Sequence, residues 1–104
     1  MIRCEPAKGE ADKVKVTFVV PADAADKVAV AGDFNGWDPS ATTLRKRGDV
    51  RSASVTLDAG RRYAFRYCTP DGHWFNDEQA HGYERNEYGE DNSIIDLTDG
   101  TIQL

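Results

Sequence analysis

Turn-forming residues recur at short intervals along this chain, and this spacing restricts the fold more than any other feature. Residues 32–39, 48–49, 58–60 and 69–72 are rich in Gly, Asp, Asn and Pro, and each group separates two short β-prone segments. No segment of ten or more residues shows the 3.6-residue period of an amphipathic helix. We therefore predict an all-β chain that forms an antiparallel β-sandwich of seven to eight short strands.

The clearest strand prediction comes from strict alternation in residues 13–20. Val14, Val16 and Phe18 fall on one face of that segment, and lysine and threonine side chains fall on the other. Further strands are predicted at residues 27–31, 43–47, 50–57, 61–68, 73–75 and 93–97, with a possible last strand at 101–104. The segment 76–92 is rich in acids, asparagines and glycines, and we predict that it is an ordered loop.

Length and composition favour one soluble domain. The chain has 104 residues, of which 39% are hydrophobic and 30% are charged, so it can bury a single core. Residues 1–12 are polar and contain Pro6 and Gly9, and we predict a flexible lead-in there to a single domain over residues 13–104. Because no segment reaches the length of a membrane helix and the N-terminus lacks the apolar run of a secretory signal, we expect a cytoplasmic protein.

The acidic balance of the chain argues against two classes of partner. The formal net charge is −5 at pH 7. Binding to nucleic acid depends on clustered Lys and Arg side chains that neutralise phosphates, and anionic membranes repel an acidic surface. We therefore expect neither nucleic acid nor a membrane as a partner, whereas a neutral ligand such as a sugar stays possible.

The two cysteines, Cys4 and Cys68, do not have the spacing of metal ligands. We predict that both are free thiols in a reducing compartment, with a disulfide between them as the alternative.

Both tryptophans of the chain come directly after turns. Trp37 follows Asn35-Gly36, and Trp74 comes soon after Asp71-Gly72. A large aromatic side chain on a loop either closes the end of a core or offers a flat surface for a ligand. Phe34 suits the first role near Trp37, so the two tryptophans are candidates for the second.

Strand alternation adds a cationic side chain to these candidates. If the three aromatic residues of segment 61–68 face the core, then Arg66 faces away from it, just before the turn that leads to Trp74. In the loop that follows, Tyr88 also stands beside a glycine, and Asn92 comes shortly after it. These residues form a set of two indoles, a phenol, a guanidinium and an amide.

Such a set suits a sugar. A pyranose ring has an apolar C–H face that an indole can cover, and a rim of hydroxyl groups that Arg and Asn can serve as hydrogen-bond partners. Each stacked ring buries roughly 100 Å² of apolar surface, or about 2–3 kcal/mol before the costs of association. The expected dissociation constant is about micromolar to millimolar, which suits a polymer with repeated sites.

The stretch G-D-F-N-G-W-D-P resembles the family 48 carbohydrate-binding modules, which include the early-set N-terminal domains of isoamylase and branching enzymes and the glycogen-binding domain of the AMP-activated kinase β-subunit. Three further stretches resemble the family in the same order: V-T-L-D-A-G-R-R-Y-A-F-R-Y, D-G-H-W and Y-G-E-D-N-S-I-I. The resemblance covers about residues 13–97. It implies an immunoglobulin-like sandwich that binds α-1,4-linked glucan such as glycogen or starch.

The resemblance also implies site residues. The family's two stacking tryptophans match Trp37 and Trp74, and its basic residue, commonly lysine, matches Arg66. The hydrophobic residue that inserts beside the glucan matches Tyr88, and the hydrogen-bonding asparagine matches Asn92. No catalytic residue, cofactor or metal ligand is implied.

Two other kinds of function stay open from the sequence. The domain could dock onto a separate glucan-metabolising enzyme or regulator, because exposed aromatic side chains also serve protein interfaces.

An enzyme, above all a glycosidase, would need a pair of carboxyl groups. The carboxylates available for this lie in a polar region and are more typical of a solvated loop: Asp71, Asp77, Glu78, Glu84, Glu87, Glu90 and Asp91. His73 and His81 have no ligand spacing that would indicate a metal site.

Overall fold

The structure is a computed structural model that describes residues 1–98. Within that range it contains nine strands and one short 3₁₀ turn, Ala22–Ala24. The strands are β1 Ile2–Pro6, β2 Lys13–Pro21, β3 Val28–Gly32, β4 Thr43–Arg47, β5 Val50–Asp58, β6 Arg62–Cys68, β7 Trp74–Phe75, β8 Gly82–Arg85 and β9 Asp91–Asp96. All of their pairings are antiparallel, which confirms the predicted all-β class. No helix among these residues is long and apolar enough to cross a lipid bilayer.

The strands follow one hydrogen-bonded path in the order β1-β2-β5-β4-β3-β6-β9-β8, and β7 pairs with β6 beside this path. Strand β4 joins one half of this path, β1-β2-β5, to the other half, β3-β6-β9-β8. Its residues Arg45 and Lys46 pair with β5, and its residues Thr43 and Leu44 pair with β3. The strands thus form one continuous antiparallel sheet that curls, whereas the sequence predicted a β-sandwich.

Side chains from both halves of the curled sheet share one core. Phe18 of β2 lies at its centre, with its ring centroid 5.1 Å from that of Phe65 and 6.4 Å from that of Tyr67, both of β6. Phe34 closes one end of this core by stacking on Phe18 at 5.6 Å, the role predicted for it. Burial of each such ring contributes about 1.5–3 kcal/mol to folding.

Two strands lie where the sequence predicted none. Strand β1, Ile2–Pro6, lies within the predicted flexible lead-in, and it forms because Ile2 and Cys4 add apolar side chains to the core beside β2. Strand β8, Gly82–Arg85, lies within the predicted loop and pairs with β9. The side chains of β8 remain mostly exposed, so its sequence lacks the alternation of apolar and polar residues that predicts a half-buried strand. The possible strand at 101–104 lies outside the described residues.

Gly32 ends β3 at a point where two strands and a core ring meet. A Cβ atom there would lie 2.5 Å from the Ala64 carbonyl oxygen, 2.9 Å from the Phe65 Cβ and 2.7 Å from the Phe34 ring. Any side chain larger than hydrogen would therefore force β3 and β6 apart.

We predict that Gly32→Ala lowers the free energy of unfolding by about 2–3 kcal/mol, because the new methyl group overlaps backbone that cannot move freely. Urea unfolding measures this loss. Gly82→Ala is the matched control, since no atom beyond its two chain neighbours lies within 4 Å of the position its Cβ would take. Equal unfolding midpoints for the two variants would contradict the packing described here.

Candidate functional site

The turn after β3 is closed by the side chain of Asn35. Its Oδ1 accepts a hydrogen bond from the Gly32 amide at 3.0 Å, and its Nδ2 donates to the Val30 carbonyl at 3.0 Å and to Thr42 Oγ1 at 3.2 Å. The amide of Trp37 in turn donates to the Gly32 carbonyl at 3.0 Å. The turn therefore folds back on the end of β3 and places Trp37 in a defined position.

Trp37 adopts a backbone conformation that is unfavourable for a bulky residue. Its φ is +59°, directly after Gly36 at +68°, and it is the only non-glycine residue of 1–98 with positive φ. Asp33 holds this geometry from two sides. Its Oδ1 accepts the Trp37 indole N–H at 3.0 Å, and its Oδ2 accepts the Ala64 amide at 2.8 Å. Local strain of this kind is most often kept where a side chain must be aimed for function.

The two tryptophans lie on the same outer face of β3 and β6. Both are partly buried, and both pack against a small cluster formed by Ala29, Ala31 and Cys68. Trp74 reaches this cluster because β7 pairs with β6 and sets Trp74 opposite Cys68. The short side chains of β3 and β6 leave room for the indoles to lie against the sheet, outside the main core.

Arg66 lies on the same face and is oriented by a carboxylate. Its Nη1 is 2.7 Å from Glu90 Oε2, and its side chain is only 13% exposed, whereas that of Glu90 is 63% exposed. An ion pair with so exposed a partner adds little stability, so its main effect is to orient the guanidinium. The Nε atom of Arg66 is buried and has no hydrogen-bond partner within the described chain.

The loop between β8 and β9 is organised by Asn86. Its Oδ1 accepts the amides of Tyr88 at 2.9 Å and Glu90 at 3.1 Å, and its Nδ2 donates to Asn92 Oδ1 at 3.2 Å. Tyr88 is left 82% exposed at the tip of this loop. The side-chain Nδ2 of Asn92 makes no hydrogen bond with another residue of 1–98 and, unlike Arg66 Nε, is not fully buried, so it remains an available donor.

These side chains line a single open groove with a volume of about 810 Å³. The groove contains all five residues that the sequence predicted as a site: Trp37, Arg66, Trp74, Tyr88 and Asn92. It also contains residues that the sequence did not predict as part of this binding site, of which Asp33, Asn86 and Glu90 have the contacts described above. The position of Asn86, two residues before Tyr88 in a turn, is a signal that could have indicated its role, whereas nothing local connects Glu90 to Arg66.

Asp77 and the two histidines, which lie outside the groove, have structural partners. The carboxylate of buried Asp77 accepts a hydrogen bond from the Tyr67 hydroxyl at 2.5 Å, and burial, together with the Asp77 charge, raises the pKa of that phenol. The His73 ring stacks on Phe75, and His81 Nδ1 accepts the Asp96 amide at 2.9 Å. Among residues 1–98, no group of three or more His, Cys, Asp or Glu side chains is arranged to hold a metal ion.

The two cysteines are separate. Cys4 lies in the main core and Cys68 lies beneath the tryptophans, and no disulfide joins them. Burial raises the pKa of both thiols, so each is held in its neutral form.

Comparison with known proteins identifies the family. Residues 5–96 match the model of carbohydrate-binding module 48, the isoamylase N-terminal domain. The chain belongs to this family. The match agrees with the resemblance carried by G-D-F-N-G-W-D-P, the stretch that forms the Trp37 turn.

Bacterial branching enzymes contain a similar segment. This module 48 domain is 41% identical over 59 residues to the 1,4-alpha-glucan branching enzyme GlgB 2 of Xanthomonas campestris pv. campestris, a match that covers 55% of this chain and 8% of that enzyme. It is 39% identical over 71 residues to the 1,4-alpha-glucan branching enzyme GlgB of Rhodopirellula baltica, covering 64% of this chain and 10% of the enzyme. The chain therefore spans a tenth or less of the length of these relatives.

We predict that Asp33→Ala frees the Trp37 indole, because it removes the acceptor of the indole N–H and leaves the Ala64 amide without its partner. The free energy of unfolding should fall by about 1 kcal/mol, and the indole N–H signal of Trp37 should shift and broaden in a proton–nitrogen NMR spectrum. Asp38→Ala is the control, since the Asp38 side chain bonds only to Ser40 among the described residues. An unchanged Trp37 signal in Asp33→Ala would show that Asp33 does not hold the ring.

Proposed function

We propose that this groove binds α-1,4-linked glucan, such as glycogen or a starch-like polymer, without catalysing a reaction on it. The observation that carries the proposal is the pair of partly buried indoles, Trp37 and Trp74, on one outer sheet face and in one groove with Arg66. The family's description as a carbohydrate-binding module supports a sugar ligand. The name of the relatives, 1,4-alpha-glucan branching enzymes, supports the choice of glucan.

The charge of the groove favours a neutral ligand. Its lining includes three carboxylates, Asp33, Glu87 and Glu90, against the single cation Arg66. An anionic ligand would meet net repulsion there, whereas an uncharged sugar would not. The C–H face of a glucose ring can lie on an indole, where burial of about 100 Å² contributes about 2–3 kcal/mol.

Polar groups around the indoles can serve the hydroxyl rim of the sugar. The guanidinium of Arg66 and the amide nitrogen of Asn92 donate hydrogen bonds, and the carboxylate of Glu90 accepts them. Tyr88, at the exposed tip of its loop, is placed to pack over a ring that lies in the groove. The groove thus combines flat apolar surfaces with hydrogen-bonding groups at their edges, as sugar recognition requires.

The carboxylates of the groove support binding rather than hydrolysis. Asp33 is engaged by the Trp37 indole and the Ala64 amide, and Glu90 is engaged by Arg66. Each therefore holds part of the binding surface together. A glycosidase would need one of its two carboxyl groups to be protonated and free to act as an acid.

Several finer sequence predictions remain part of this proposal. They are the immunoglobulin-like character of the fold, a single early-set domain and a cytoplasmic location. Docking onto a separate glucan-metabolising enzyme or regulator stays the alternative function.

We predict that Trp37→Ala or Trp74→Ala weakens binding to glycogen at least ~10-fold, because each removes one stacking surface from the groove. Affinity electrophoresis in gels that contain glycogen measures the change, and urea unfolding checks that each variant is folded. Tyr83→Ala is the control, since Tyr83 is also an exposed aromatic residue but does not line the groove. Folded variants that keep full retention on glycogen would refute the proposed function.

A further inference from the structure

A second groove lies on the other side of Trp74. Its volume is about 400 Å³, and Trp74 lines both this groove and the one that contains Trp37. The indole of Trp74 is therefore a wall shared by two neighbouring depressions on one surface.

The register of the strands shows that the two grooves follow one another along the sheet. The first groove lies over Ala64 and Arg66 of β6, and the second lies over Cys68, the next residue of β6 on the same face. Strand β3 runs beside them, with Ala31 opposite Arg66 and Ala29 opposite Cys68. Two residues along a strand correspond to roughly 7 Å, so the second groove begins one short step beyond the first.

The lining of the second groove has the chemistry that a neutral sugar needs. The rings of Pro39 and Pro70 provide apolar surface beside Trp74, and the hydroxyl group of Thr43 can donate or accept a hydrogen bond. The amine of Lys27 adds a donor, and it forms no ion pair with another residue of 1–98. Within residues 1–98, the side chains of Lys27 and Thr43 form no hydrogen bond or ion pair with Trp37 or Arg66, so substitutions at these two positions test the second groove separately.

We propose that a glucan chain bound across Trp37 and Trp74 continues past Trp74 into this second groove. The domain then recognises a longer run of glucose units than the two indoles alone would cover. This inference rests on the proposed function, because it concerns the same ligand. It gives the surface formed by Lys27, Pro39, Thr43 and Pro70 a role in selecting glucans by their chain length.

The test compares short and long maltooligosaccharides in the intact chain. Thr43→Arg places a long side chain across the second groove, and Lys27→Ala removes its amine donor. Thr56→Arg is the matched control, since Thr56 is also an exposed strand threonine but lines neither groove. Dissociation constants for maltotriose and maltoheptaose are measured by calorimetry for all four proteins.

The expected result is that Thr43→Arg weakens maltoheptaose binding about 5- to 10-fold, with a smaller loss for Lys27→Ala, whereas maltotriose affinity does not change. Thr56→Arg should behave as the unmodified chain does with both sugars. If Thr43→Arg changes neither affinity, or changes both equally, the second groove does not hold the chain. If the unmodified chain binds neither sugar, the proposed function itself fails, and this inference fails with it.

Discussion

The pairing of β3 with β6 is the interaction on which the rest of the structure depends. One face of this pair supplies Val30, Phe65 and Tyr67 to the core, and the other face supplies the small cluster on which the tryptophans lie. Because alternate residues of a strand point in opposite directions, the same hydrogen bonds position both surfaces. The absence of a side chain at Gly32 lets the two strands approach closely where the Trp37 turn begins.

Polar contacts within two loops give the groove its shape, because they stabilise backbone conformations that would otherwise be unfavourable. Trp37 keeps a positive φ because Asn35 closes the turn and Asp33 ties the indole to the neighbouring strand. Asn86 gives the opposite loop its shape by accepting two backbone amides. A binding surface fixed before the ligand arrives loses less conformational entropy on association, which matters when the expected affinity is weak.

The features that depend on local sequence could be predicted, and those that depend on distant contacts could not. Alternation in residues 61–68 predicted that Arg66 faces away from the core, and the structure brings all five predicted site residues into one groove. Strand β8 was missed because its side chains stay in solvent and leave no apolar pattern. The contact between Glu90 and Arg66 was not predicted, because it spans 24 residues and no local rule links the two positions.

The central claim is that two indoles and a guanidinium on one outer sheet face form the surface that a glucan chain covers. A proton–nitrogen NMR titration with maltoheptaose tests it most directly, because it reports which residues meet the sugar and at what concentration. The account predicts saturable shifts of both indole N–H signals, the Arg66 Nε–H and the Asn92 side-chain amide, with a dissociation constant of about micromolar to millimolar. Shifts confined to the face formed by β1, β2 and β5, or no shifts at millimolar sugar, would contradict it.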